Sequence, residues 1–134
     1  MKTLSHILAM LLLAPLSNAS GQATPTSVPA EHLKVPDDLE VTLWATSPML
    51  FNPTNIDTDA SGRIWAAEGV NYRKHVTRRA EGDRIMVLED TDGDGKADKS
   101  HCFVQDKALV SPLGVSVFDN KIVVAQPPSI FVYT

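Results

Sequence analysis

Residues 90–98 read Asp-Thr-Asp-Gly-Asp-Gly-Lys-Ala-Asp, which crowds the carboxylates of Asp90, Asp92, Asp94 and Asp98 into one short stretch. Like charges so close repel unless something offsets them, and their spacing names a candidate. In calcium loops, oxygens at positions 1, 3 and 5 converge on a hard cation and a Gly at 6 permits the sharp turn. A backbone carbonyl at 7 and a ligand at 9, often through water, add to the shell. Counting from Asp90, these positions fall on Asp90, Asp92, Asp94, Gly95, the Lys96 carbonyl and Asp98. Position 12 is His101, where a helix–loop–helix calcium site has a bidentate Glu. The flanks 84–89 and 99–104 are apolar-rich in the manner of strands, so the expected setting is a calcium loop between two strands. The alternative reading of the same residues is a solvated acidic turn.

A second set of side chains could meet a ligand. The stretch 69–83 carries Asn71, Tyr72, Arg73, Lys74, His75, Arg78 and Arg79 beside Glu68. Such hydrogen-bonding and basic groups suit a polyhydroxylated or anionic molecule. The candidates on this ligand face are Glu68, Asn71, Tyr72, Arg73, His75 and Gln126, with His75 a possible general base. The alternative is a solvated loop whose basic residues pair with Glu68, Glu81 and Asp83. No nucleophile–base constellation and no glycine-rich phosphate loop occurs in the chain, and the catalytic residues stay unassigned. The single cysteine, Cys102, excludes an internal disulfide and any Cys-x-x-Cys-His haem attachment; in a strand it reads as a small buried hydrophobe. Cys102 and His101 point to opposite strand faces, which argues against a shared metal. Trp44 and Trp65 read as packing residues.

The elements that must position these groups are strands. Leu39, Val41, Leu43 and Ala45 alternate with Glu40, Thr42, Trp44 and Thr46, predicting a first strand over 39–46. Further strands are expected at 53–58, 63–68, 84–89, 99–104, 113–118, 121–125 and 130–133. The turns at 59–62 and 119–120 have hairpin chemistry. Ahead of them, 24–37 is a Pro-rich linker, and 1–23 reads as a secretory signal with a Lys at 2, an apolar run over 7–16 and small residues near the cleavage point. Export to the periplasm or the extracellular space follows, with membrane association through the leader as the alternative. Removing 1–23 leaves a net charge of −5, so nucleic acid is not an expected partner.

Two segments repeat. Residues 52–59 resemble 111–118, 62–68 resemble 120–126, and 84–89 resemble 129–134. A repeated antiparallel unit of up to four strands is the signature of a β-propeller blade. The expected fold is therefore all-β: a signal peptide, a linker, and over 38–134 about two blades of a truncated propeller. The strand over 39–46 is expected to close the ring's last blade. Strand direction then puts the acidic loop on one face of the disc and the segments 69–83 and 105–112 on the other.

Several stretches together resemble the opening of the planctomycete-type membrane-bound dehydrogenases, whose propeller is similar to that of glucose and sorbosone dehydrogenases. They are 36–45, Asn52-Pro53, 62–68, Asn71-Tyr72, 82–98, 112–114 and 124–128. The resemblance implies an exported propeller, pyrroloquinoline quinone as a cofactor, and a sugar or polyol substrate, beside the calcium that the spacing of residues 90–98 points to. It also implies a cytochrome c-type domain, downstream or as a partner, whose haem lies outside this chain. A cofactor in a propeller channel touches several blades, so these residues alone are expected to be inactive. The alternative function is a non-catalytic propeller that binds carbohydrate or protein.

Overall fold

The computed structural model describes residues 29–72 and 78–134. The expected signal peptide, the first part of the linker, and Arg73, Lys74 and His75 lie outside the described residues. A single 3-10 turn, Ala30–His32, precedes seven strands: β1 Pro53–Thr58, β2 Ile64–Glu68, β3 Arg84–Glu89, β4 Lys99–Gln105, β5 Gly114–Phe118, β6 Lys121–Gln126 and β7 Ser129–Tyr133. They form two antiparallel sheets in sequence order, β1-β2-β3-β4 and β5-β6-β7. Among the described residues, no helix is long and apolar enough to cross a membrane.

Alternation along the strands makes two apolar faces on the first sheet. Trp65, Ala67, Ile85 and Val87 turn to one side, where they form one core with Leu109, Val115, Ile122 and Val124. The second sheet thus packs face to face on the first. Ile85, Val87, Leu109 and Val124 are fully buried there, each worth about 1.5–3 kcal/mol of transfer free energy. Ala66, Met86 and Leu88 turn to the opposite side and are covered by Trp44, Ala45, Met49 and Leu50.

Where the two sheets meet, β1 lends side chains to the backbone of β5. Asn55 Oδ1 accepts from Val115 N at 2.8 Å and Asp57 Oδ2 from Val117 N at 2.8 Å, while Thr54 Oγ1 donates to the Pro112 carbonyl. The Val117 N–H, seconded by that of Thr58, holds the Asp57 carboxyl below its ordinary range. Both sheets begin with a left-handed residue before a proline, Asn52 (φ 44°) before Pro53 and Ser111 (φ 57°) before Pro112. The repeat read in the sequence therefore extends to an unusual backbone conformation, since β-carbon sterics disfavour this region.

Two expectations are corrected. Residues 39–46 carry the strand pattern but join no ladder; the segment runs alongside the first sheet, its Trp44 carbonyl accepting from Ala97 N at 2.8 Å. An alternating pattern makes a strand only when an edge is there to pair with. Cys102 is exposed, not buried, because it sits on β4, the outermost strand of its sheet. Partial burial still pushes its thiol up, away from reactivity.

Candidate functional site

The antiparallel order sends the β1–β2, β3–β4 and β5–β6 connections to one end of the stack. The β2–β3 and β4–β5 connections go to the other end.

The turn end holds the acidic residues. Carboxylate oxygens of Asp90, Asp92 and Asp94 lie within 4.8 Å of one another on the β3–β4 connection. Asp90 is fixed from two sides, accepting from Gly93 N at 2.7 Å and Gly95 N at 2.9 Å. Slight burial pushes the Asp90 carboxyl up, and these N–H groups outweigh it and hold the group below its ordinary range. Asp92 accepts from Asp94 N and Asp94 from Lys96 N. Gly93 and Gly95 both take positive φ, at 77° and 84°, which lets the chain coil around its own carboxylates. Asp98 stands apart from the trio: its oxygens accept from Thr91 N and from Thr91 Oγ1 at 2.6 Å. Oxygens bound to one calcium at 2.3–2.6 Å can be no more than about 5 Å apart, so the three-carboxylate group fits such an ion and Asp98 braces the loop. His101 Nδ1 lies 3.9 Å from Glu89, outside the trio.

At the same end, Asp59 organises the β1–β2 turn. It accepts from the backbone of Ser61 and Arg63, from Arg63 Nε, and from Trp65 Nε1 at 2.9 Å. Burial pushes its carboxyl up, but the Trp65, Arg63 and Ser61 hydrogen bonds outweigh it and hold it at about 2. A depressed folded pKa contributes stability that is present above the ordinary value of 3.8 and lost as pH falls through the folded value. Acid titration of the unfolding midpoint is therefore expected to show a loss between about pH 4 and pH 2 that shrinks in Asp59→Asn.

The opposite end holds a buried polar network. Glu68 is fully buried, and its oxygens accept from Phe51 N, Arg84 Nε, Arg84 Nη2 and Arg79 Nη1. Both guanidinium groups lie 5.8 Å from the Phe51 ring centroid. Burial pushes the Glu68 carboxyl up, but the Arg84 and Arg79 hydrogen bonds outweigh it and keep it low. Asp83, also fully buried, accepts from Asn71 N and, at 2.7 Å, from Ser111 N, while its own N–H donates to the Leu109 carbonyl. The Asn71 side chain accepts from Arg78 N and Arg79 N and donates to the Arg79 carbonyl. Gln126 accepts from Val110 N at 2.6 Å and donates to the Ala108 carbonyl.

Of the ligand candidates, Glu68, Asn71 and Gln126 thus come to the expected end, with their polar atoms engaged in holding the connections together. Tyr72 is exposed there and lines a cleft of about 440 Å³ with Asn52, Pro53, Thr54 and Gly69. Arg73 and His75 lie outside the described residues. Sequence reasoning gave Asp83 only a pairing role with basic side chains and missed that it receives backbone N–H groups from both connections. The signal available was an acidic residue wedged between Gly82 and the apolar run of β3.

No curated protein and no solved structure matches this chain. One family model does, over residues 26–134. That span takes in both sheets, the acidic loop and the buried network, and the chain belongs to this family, described as a domain of unknown function, DUF7133.

Proposed function

We propose that the chain supplies consecutive blades of an exported, calcium-stabilised β-propeller of the kind that quinone-dependent sugar and alcohol dehydrogenases use. The observation that carries the reading is the stacking of two repeat-related antiparallel sheets face to face through one core. The β1–β2, β3–β4 and β5–β6 connections lie at one end and the β2–β3, β4–β5 and β6–β7 connections at the other, as in an antiparallel propeller blade. The redox part of the reading is supported by the stretches that resemble membrane-bound dehydrogenases. When bound, the quinone would accept electrons from the substrate. This chain's part would be the scaffold: Glu68, Asp83, Asn71 and Gln126 fix the connections at the ligand end, and Tyr72 faces the cleft there.

Calcium has a separate role at the turn end, remote from that chemistry. Asp90, Asp92 and Asp94 would hold it with the Lys96 carbonyl, and Asp98 would act through water or through Thr91. With no bidentate Glu, the affinity is expected at about 10⁻⁴ to 10⁻³ M, as in extracellular modules, with magnesium competing poorly. Isothermal titration of the full chain with calcium tests this: a millimolar binding isotherm that Asp92→Ala weakens supports the site. Absence of calcium heat, or identical isotherms for the two proteins, leaves an acidic turn.

A further inference from the structure

Ser111 combines two unfavourable features. Its backbone is left-handed, with φ 57°, a region that crowds the β-carbon, and it stands before Pro112, where a residue is steered toward extended backbone. Its hydroxyl Oγ is also buried without a hydrogen-bond partner among the described residues, and a hydroxyl left unpaired in the interior is destabilising. Glycine would remove both features at once. The strained geometry is enforced from two sides: Ser111 N donates to the buried Asp83 at 2.7 Å, and the Pro112 carbonyl accepts from Thr54 Oγ1. Strained residues persist only where their surroundings enforce them, and they gather at ligand-binding sites.

The position has a counterpart, and a cleft lies beside it. Asn52 holds the same place in the first repeat, left-handed at φ 44° before Pro53, and its carbonyl accepts from Gly69 N at 2.9 Å. Asn52 and Gly69 line the cleft of about 440 Å³ at the connection end, together with Pro53, Thr54 and Tyr72. Gly69 also borders the orphan hydroxyl, since a β-carbon on it would lie 3.3 Å from Ser111 Oγ. A residue without a side chain is thus common to the cleft and to the hydroxyl. None of the lining residues is charged, and the neighbouring carboxylates of Glu68 and Asp83 are already engaged.

We infer that the Ser111 hydroxyl is a ligand contact held in reserve beside this cleft, and that the ligand it meets is a neutral molecule bearing hydroxyl groups. An aromatic ring, an amide and uncharged walls suit the apolar faces and hydroxyl edges of such a molecule, whereas an anion finds no charge to pair with in the lining. Gly69 has no side chain in the way, so ligand and backbone can approach closely there. Binding supplies the partner that the hydroxyl lacks in the free protein, which makes its hydrogen bond specific to the bound state. The inference rests on the reading of the connection end as the ligand end, and it adds a residue and a charge preference to that reading.

Two readouts on the full chain test it, and the loss of a purely structural serine would lower both. Ser111→Ala deletes the hydroxyl alone. In the ligand-free protein it should raise the thermal midpoint, by about 4 °C. The same variant should bind D-glucose, followed through the ring resonances of Tyr72, about three- to tenfold more weakly than the parent. Ser111→Gly, which also relieves the left-handed backbone, should likewise be more stable and bind more weakly. Gluconate, the anionic counterpart, should bind the parent less well than glucose does. A lower midpoint in Ser111→Ala would show the hydroxyl to be already satisfied, for instance by a bound water, and overturns the inference. Equal affinity in parent and variants, or a preference for gluconate, overturns it as well, and these three results leave the propeller reading in place. A Tyr72 ring that does not respond to glucose in the parent also overturns it, and counts in addition against the saccharide reading on which it rests.

Discussion

Replacing Glu68 with alanine is expected to cost about 2–4 kcal/mol of stability, somewhat under the range for breaking a fully buried ion pair because the two arginines keep partial solvent access. The carboxylate receives four hydrogen bonds, from Phe51, Arg79 and two atoms of Arg84. Its loss leaves two guanidinium groups side by side at 16 % and 20 % exposure with no counter-charge between them. Glu68→Gln should lose less, since an amide oxygen can still accept from Phe51 N, but it discards the charge. The same substitution changes the pH response. The folded pKa of Glu68 lies below its ordinary value near 4.5, so its contribution is present above that value and lost as pH falls through the folded one. Urea midpoints measured from pH 7 down to pH 3 should fall in the parent and fall less steeply in Glu68→Gln. Equal slopes would show that the carboxylate is not the anchor described.

Gly82→Ala is expected to be the other severe lesion. Gly82 takes φ +92°, and a β-carbon there would sit 1.7 Å from the Asp106 carbonyl oxygen and 2.7 Å from Lys107 N. The obstacle is backbone, so it cannot rotate away, and the left-handed conformation adds its own penalty. A loss on the order of 3 kcal/mol or more follows, large against the 5–15 kcal/mol typical of a folded domain. Gly93→Ala is the matched control. It shares a positive φ of 77° but meets nothing within 4 Å, so only the conformational cost applies. Thermal unfolding of the pair should separate them clearly, and comparable transitions would mean that the 82–106 approach is looser than described.

The seven strands were legible because their apolar positions recur with period two and their turns carry Asp, Ser, Gly and Asn. Their bounds shift by at most one residue from those expected. The eighth expected strand, 39–46, has the same local pattern, and what it lacks is a partner edge, which no local pattern encodes. Cys102 misled for a related reason. Burial of a strand residue depends on what lies over its face, and the cover provided by 44–50 rests on Ala66, Met86 and Leu88. The acidic trio was readable from spacing, whereas the attachment of Asp98 to Thr91 was not. The deepest gap concerns carboxylates that bind distant backbone. Asp83 receives Ser111 N, 28 residues away, and Asp57 receives Val117 N, 60 residues away. In sequence such carboxylates look like ordinary surface charges, because their partners are backbone N–H groups that carry no residue signature.

The hydrogen bond from Ala97 N to the Trp44 carbonyl ties together two parts of the molecule that otherwise have separate tasks. Ala97 lies inside the acidic loop, between Lys96 and Asp98, and with Trp44 packs against Ala66, Met86 and Leu88 on the first sheet. Whatever orders residues 90–98 therefore restrains Trp44, and whatever fixes residues 39–46 steadies the loop. By thermodynamic reciprocity, an ion that binds more tightly when the segment is docked must favour its docking by the same factor. One peptide N–H would then make the loop and the segment a coupled pair, with ion occupancy at one end of the sheet setting how firmly the chain's leading segment is held.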